Sequence, residues 1–375
     1  MELFDVYPLY DITPVSASGC WITDRKGDRY LDLYGGHAVI SIGHTHPHFV
    51  KRLETQLRQI AFYSNSVQNP LQQQMADKLG DLSGCGQYRL FLCNSGAEAN
   101  ENALKLASFH TGKARVVAFK NSFHGRTSAA VAATDNPAIV APLNAAHQVT
   151  FLPLNDPALL EAELQKGDVC AVILEGIQGV GGLDMASPAF YRAASDLCRK
   201  YGAVLIADEV QCGFGRSGRF FAFQHSGAQP GIISVAKGMG NGFPVGGILI
   251  DPDIRASHGL LGTTFGGNHL ACAAVLAVLE VLEREQLMTH AGRMEAYFRE
   301  RASEIPAIRE VKGQGLMLGL SFDFEIAALR KRLIFEHRIF TGSAKHKNLL
   351  RILPALNVQP GELDLLFEAL KTELG

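Results

Sequence analysis

Apolar runs recur along the chain and set its architecture. Seven of them read as strands: 89–93 (RLFLC), 115–119 (RVVAF), 148–152 (QVTFL), 169–174 (VCAVIL), 203–207 (AVLIA), 232–236 (IISVA) and 245–250 (VGGILI). The apolar residues in these runs are continuous rather than alternating. A strand with one wet face would alternate, so these belong to a sheet covered on both faces. Helical spacing appears near 96–111, 187–201, 267–286, 290–303, 325–338 and 361–373. Strand and helix alternate over 85–250, which predicts one α/β domain around a mostly parallel seven-stranded sheet. Beyond it the chain is helix-rich, with strands near 316–322 and 349–353, and predicts a smaller α+β domain. WITDRKGDRYLDL predicts a hairpin turning at Lys26-Gly27-Asp28 and packing with the C-terminal part. The expected boundaries are 1–54 for an N-terminal segment joining the small domain, 55–252 for the large domain and 253–375 for the small one. The small domain thus draws on both termini.

Charge narrows the partners. There are 35 Lys and Arg against 37 Asp and Glu, a net charge of −2. No basic excess is available for a nucleic-acid backbone or an anionic membrane, so neither is expected as a partner. The cysteine count, 7, is odd and no CxxC occurs, which argues against a disulfide framework or a zinc ribbon and fits a reducing compartment. MELFDVYPLYD has no cation of a signal peptide, and the uncharged run 256–279 is too polar to span a bilayer. A soluble, cytoplasmic protein is expected. His44, His46 and His48 alternate like ligands, but no Cys or carboxylate completes a set, and no metal is expected. Neither GxGxxG nor a P-loop spacing is present.

Open parallel sheets bind ligands beyond the carboxyl ends of their strands. After LFLC comes Asn94-Ser95-Gly96-Ala97-Glu98, where Ser95 and Glu98 have capping-box spacing. The plain reading is a helix start. The sharper one is an anion site, with free N–H groups at the positive end of a helix. After AVLIA comes Asp208, an acid that is costly to bury unpaired. It is either a loop cap or the partner of a cationic cofactor. After IISVA comes Lys237, then a glycine-rich loop. A lysine there is commonly ion-paired, yet desolvation lowers an amine's pKa and makes it a nucleophile. A phosphate cradle, an acid for a pyridinium nitrogen and a Schiff-base lysine are the three needs of pyridoxal 5'-phosphate (PLP). Phe123, in NSFHGRT, offers an aromatic to cover its ring.

With these residues placed, the chain resembles a class III PLP-dependent aminotransferase of the acetylornithine, succinylornithine and ornithine group. The matching stretches are GHTHP (43–47), NSGAEANENALKLA (94–107), FHGRT (123–127), LEGIQGVGG (174–182), ADEVQCGFGRSG (207–218), AKGMGNGFPVGG (236–247), TTFGGNHLACAA (263–274) and RILPAL (351–356). The resemblance implies the fold type I architecture of PLP-dependent transferases, with 55–252 as the PLP-binding domain. Lys237 would hold the cofactor and act as base in the 1,3-proton shift, and Asp208 would keep the pyridine nitrogen protonated. Phe123 and Val210 would flank the ring, with His124 beside it, and Gln211 would bond its hydroxyl. Ser95, Gly96 and Ala97 would bind the phosphate. Thr264 would reach the phosphate of a neighbouring subunit, implying a homodimer. Arg126 and Arg351 would hold substrate carboxylates, with Glu175 behind them.

Two departures stand out. The family's E-P-I-Q-G-E-G-G reads Glu175-Gly176-Ile177-Gln178-Gly179-Val180-Gly181-Gly182 here. In ornithine-type enzymes the second glutamate masks the arginine matching Arg351, which Val180 cannot do. Val180 could instead line a wall for an acyl group. His37 replaces a tyrosine of ornithine enzymes and an aliphatic residue of acetylornithine enzymes, and could contact a second carboxylate. The resulting expectation is transfer of the δ-amino group of N-acetylornithine, or N-succinylornithine, to 2-oxoglutarate in arginine biosynthesis. An ornithine δ-aminotransferase, a glutamate-semialdehyde-type aminomutase and a cofactor-binding protein without turnover are the alternatives.

Overall fold

The computed structural model describes residues 1–375. The central sheet has seven strands in the spatial order Arg89–Cys93, Gly246–Ile250, Ile232–Val235, Val204–Asp208, Val169–Glu175, Arg115–Phe119, Val149–Leu152. Gly246–Ile250 runs antiparallel to both neighbours, and the other strands share one direction. Successive side chains of each strand go to opposite cores. Val116, Ala118, Ile173 and Ile206 pack with Ala99, Ala103 and Ala107 of helix Gly96–Thr111. Val117, Phe119, Val172 and Leu205 pack with Phe190, Ala194 and Cys198 of helix Pro188–Tyr201. Helices cover both faces, so both side-chain sets are apolar and the strands carry no alternation.

The hairpin forms as expected between Trp21–Asp24 and Arg29–Asp32. Asp24 Oδ1 accepts the N–H groups of Lys26 and Asp28 at 2.8 and 2.9 Å, and Gly27 takes φ +86 in the turn. Ile339–Phe340 adds to this sheet, parallel to Leu31 and Asp32. A third sheet joins Glu310–Gln314, Met317–Ser321, Leu349–Ile352 and Gly342–Ser343. Helices Pro47–Leu57, Pro70–Ser83 and Pro157–Leu164 were not expected from the pattern. Pro70–Ser83 sets Leu71, Met75, Leu79 and Leu82 at helical spacing against the core, a stripe that the sequence does carry. The helix expected at 325–338 is confined to Ala327–Phe335, and that at 290–303 begins earlier, at Leu287.

Register places the chemistry. Glu175 lies opposite Asp208, and Asp208 opposite Ser234, at the carboxyl ends of three adjacent strands. Lys237 follows three residues after Ser234, and Phe123 follows strand Arg115–Phe119. No helix is long and apolar enough to cross a membrane.

Candidate active site

A cavity of about 400 Å³ opens at these strand ends. Of the residues singled out from sequence, Ser95, Gly96, Ala97, Phe123, His124, Arg126, Glu175, Val180, Asp208, Val210, Gln211 and Lys237 line it. His37 and Arg351 stand behind its wall, joined to it through Gln211 and Gly179. Thr264 does not enter it. It sits on an exposed loop beside Phe265, without a side-chain partner in its own chain.

Ser95 caps helix Gly96–Thr111, its Oγ accepting the Glu98 N–H at 3.2 Å. The capping box itself is shifted. The Glu98 carboxylate reaches past Ser95 to the N–H of Asn94, at 2.9 Å. The N–H groups of Ser95, Gly96 and Ala97 therefore find no acceptor in the protein. Three free donors at a helix N-terminus, facing a cavity, form a cradle for an anion. Gly96 is required there, since a Cβ would meet Val210 Cγ1 at 2.5 Å.

Asp208 is buried and an acceptor throughout. Oδ2 takes Asn100 Nδ2 at 2.8 Å and His124 Nδ1 at 2.7 Å, and Oδ1 takes the Val210 N–H at 3.1 Å. His124 thus holds Asp208, and its Nε2 is buried without a partner, as is Asn100 Oδ1. Sequence reasoning missed Asn100. Its only signal was a polar residue on the apolar face of the helix that buries Ala99, Ala103 and Ala107.

Lys237 adopts φ +47, a left-handed conformation that costs a non-glycine residue about 1 kcal/mol or more. Its Nζ makes no hydrogen bond or ion pair with protein. Burial lowers its pKa below the usual lysine value, opposed by the charges of Asp208 and Glu175. Glu175 accepts the N–H of Phe123 at 2.9 Å and of Gly179 at 3.1 Å, tying two walls together. Burial pushes its pKa up. Arg126 stands at the exposed mouth with no protein partner for its guanidinium.

His44, His46 and His48 share no centre. They bond Asp32 at 2.8 Å, Glu285 at 3.1 Å and Glu280 at 2.5 Å respectively, each a separate contact between elements. No group of three or more metal-ligating side chains occurs.

A family model described as aminotransferase class-III matches residues 6–374. The chain belongs to the class-III aminotransferases. It is similar to the acetylornithine aminotransferase of Bacillus subtilis, 39% identical, with 96% of this chain and 94% of that one covered. Among solved structures it is similar to the acetylornithine aminotransferase of Elizabethkingia anophelis, with a TM-score of 0.84 and 27% identity over 98% of this chain and 94% of that one. It is also similar to an ornithine aminotransferase from Toxoplasma gondii, with a TM-score of 0.90 and 27% identity over 98% of this chain and 90% of that one. In that structure PLP is present at partial occupancy. The strand ends of this aminotransferase thus gather an unpaired amine, a fixed carboxylate and three free N–H donors around one cavity.

Proposed function

We propose that this aminotransferase binds PLP and moves the δ-amino group of an N-acylornithine, acetyl favoured and succinyl the rival, to 2-oxoglutarate. The observation that carries this reading is the unpaired Lys237 Nζ in the cavity that also holds Asp208 and the free N–H groups of Ser95, Gly96 and Ala97. Those groups suit PLP one by one: amine for aldehyde, carboxylate for ring nitrogen, N–H cradle for phosphate. When bound, PLP supplies an electron sink for the charge left at the carbon that loses its proton.

The chain's own residues do the rest. Lys237 Nζ, its proton affinity reduced by burial, takes the proton from the donor's δ-carbon and gives it back during the transfer. Asp208 would hold the ring nitrogen, and its bonds from Asn100 and His124 keep the carboxylate from turning away. Phe123, Val210 and Gln211 line the same cavity, where the first two would flank the ring of PLP and Gln211 would bond its hydroxyl. Arg126, unpaired at the mouth, and Arg351 receive substrate carboxylates. Val180 gives an apolar wall where an acyl group fits and a bare second ammonium of ornithine does not.

The active unit is a homodimer in this reading. Thr264 has no use within its own subunit, and the neighbouring Phe265 is 58% exposed with its ring 5.2 Å from that of Phe62. The reaction belongs to arginine biosynthesis and to the cytoplasm, which agrees with seven free, buried cysteines. The test is a single-turnover spectrum with N-acetylornithine, N-succinylornithine and ornithine added separately, without oxo acid. The expected outcome is rapid bleaching of the enzyme-bound cofactor band by an acylated donor, reversed by 2-oxoglutarate. Preference for ornithine, or bleaching by none of the three, would overturn the substrate assignment.

A further inference from the structure

Arg351 is a buried cation held entirely by neutral groups. It is 3% exposed. Its Nε donates to Ser343 O at 2.6 Å, its Nη1 to Gly179 O at 2.7 Å, and its Nη2 to the Tyr34 hydroxyl at 2.9 Å. None of the three acceptors is a carboxylate. The charged groups around it do not balance it either, since Arg330 adds to the positive charge and Glu175 is the one acid felt there. A buried guanidinium with no counter-ion is a site that gains from an incoming anion.

Two of the three acceptors are backbone carbonyls, Ser343 O in a strand and Gly179 O in a turn that the Glu175 carboxylate holds through the Gly179 N–H. Only Tyr34 can rotate. Its ring occupies the space a Cβ of Gly342 would fill and lies 5.5 Å from the Arg351 guanidinium. Its hydroxyl also bonds His37 Nδ1 at 2.5 Å. Arg351 is a donor only, so the hydroxyl accepts from Nη2 and gives its own proton to His37. His37 reaches that position from a left-handed turn, Gly35 to Ala38, in which His37 has φ +69 and Ala38 φ +62. Such backbone is costly for both residues and persists because the turn is held, in part by Gln211 donating to His37 O at 3.1 Å.

We infer that the Tyr34 hydroxyl, oriented by His37, is a displaceable neutral mask over Arg351, and that a dicarboxylate substrate binds by taking the place of Tyr34 on Nη2. This rests on the reading of Arg351 as a substrate-carboxylate site and adds what governs access to it. The Tyr34 hydroxyl keeps His37 as acceptor when it turns away, so unmasking leaves one hydrogen bond to replace rather than an ion pair to break. The groups facing His37 are Tyr34, Arg351, Lys237 and Arg330.

The test is calorimetric titration of glutarate, a dicarboxylate with no oxo group to react, into the PLP-loaded enzyme. Tyr34→Phe keeps the ring against Gly342 and removes the competitor. It should bind glutarate about tenfold more tightly than the wild type, the equivalent of one hydrogen bond to a charged group. Arg351→Lys should weaken binding roughly tenfold or more. A gain in affinity cannot come from damaged folding. If Arg351→Lys weakens glutarate while Tyr34→Phe leaves it unchanged or weaker, the mask is wrong and the carboxylate site stands. If Arg351→Lys binds as the wild type does, the site reading and the mask fall together.

Discussion

Glu209, next to Asp208, takes no part in the chemistry and shows how much buried acid the site tolerates. Its two oxygens accept the N–H groups of Ala222 and Phe223, each at 2.8 Å, and the Cys212 thiol lies at 3.2 Å. Burial nevertheless pushes its pKa up to about 7. The unfolded chain ionises near pH 4.3, so the folded state holds the proton more tightly in between. Its stability contribution is full below the unfolded value and is lost as pH rises through about 7. Above that the cost is about 3 kcal/mol. Glu209→Gln should therefore flatten the fall in melting temperature between about pH 5 and 7. Equal slopes in the two proteins would refute this. Residue identity made Lys237, Asp208 and Phe123 readable, because each chemistry needs its own side-chain type at a strand end. It gave no sign of Tyr34, whose role depends on Arg351, 317 residues away.

At the scale of elements, helix Gly96–Thr111 separates capping from anion binding. Ser95 serves the first with its side chain and leaves its backbone N–H free for the second. Ser95→Ala should cost the apoenzyme about 1 kcal/mol in thermal unfolding. Ser95→Asp restores the cap and puts a negative charge where phosphate would sit. It should hold apoenzyme stability and weaken PLP retention in equilibrium dialysis by roughly tenfold, the order of one unfavourable charge contact. Equal PLP retention in Ser95→Asp and wild type would rule out the cradle. The strands of the central sheet were legible to within one or two residues, since burial on both faces leaves an unbroken apolar run. Their directions were not. Gly246–Ile250 is antiparallel, yet it is as free of alternating polar residues as the parallel strands. Pro47–Leu57 carries Phe49, Val50, Leu53 and Leu57 at helical spacing, so its periodic signal was present although the helix was not expected.

For the whole molecule, the face that the proposed homodimer would use is marked by Phe265 and Phe62, both exposed, with their rings 5.2 Å apart and Thr264 next to the first. On the proposal of a homodimer, the wild type should sediment as a dimer and Phe265→Arg as a monomer with reduced cofactor retention. A variant that remains dimeric would place the interface elsewhere.

The sequence by itself determined the α/β class, the central strands, the residues that meet at their carboxyl ends and the family. Those follow from local patterns: an apolar run, a residue type after a strand, a motif of adjacent residues. Tertiary structure alone decided that Ile339–Phe340 pairs with Arg29–Asp32, that His124 and Asn100 together hold Asp208, and that Arg351 is covered by Tyr34 rather than by an acid. Those contacts join residues far apart in the chain. Their partners are chosen by packing and by the need of each buried polar group for a hydrogen bond, which no local pattern records.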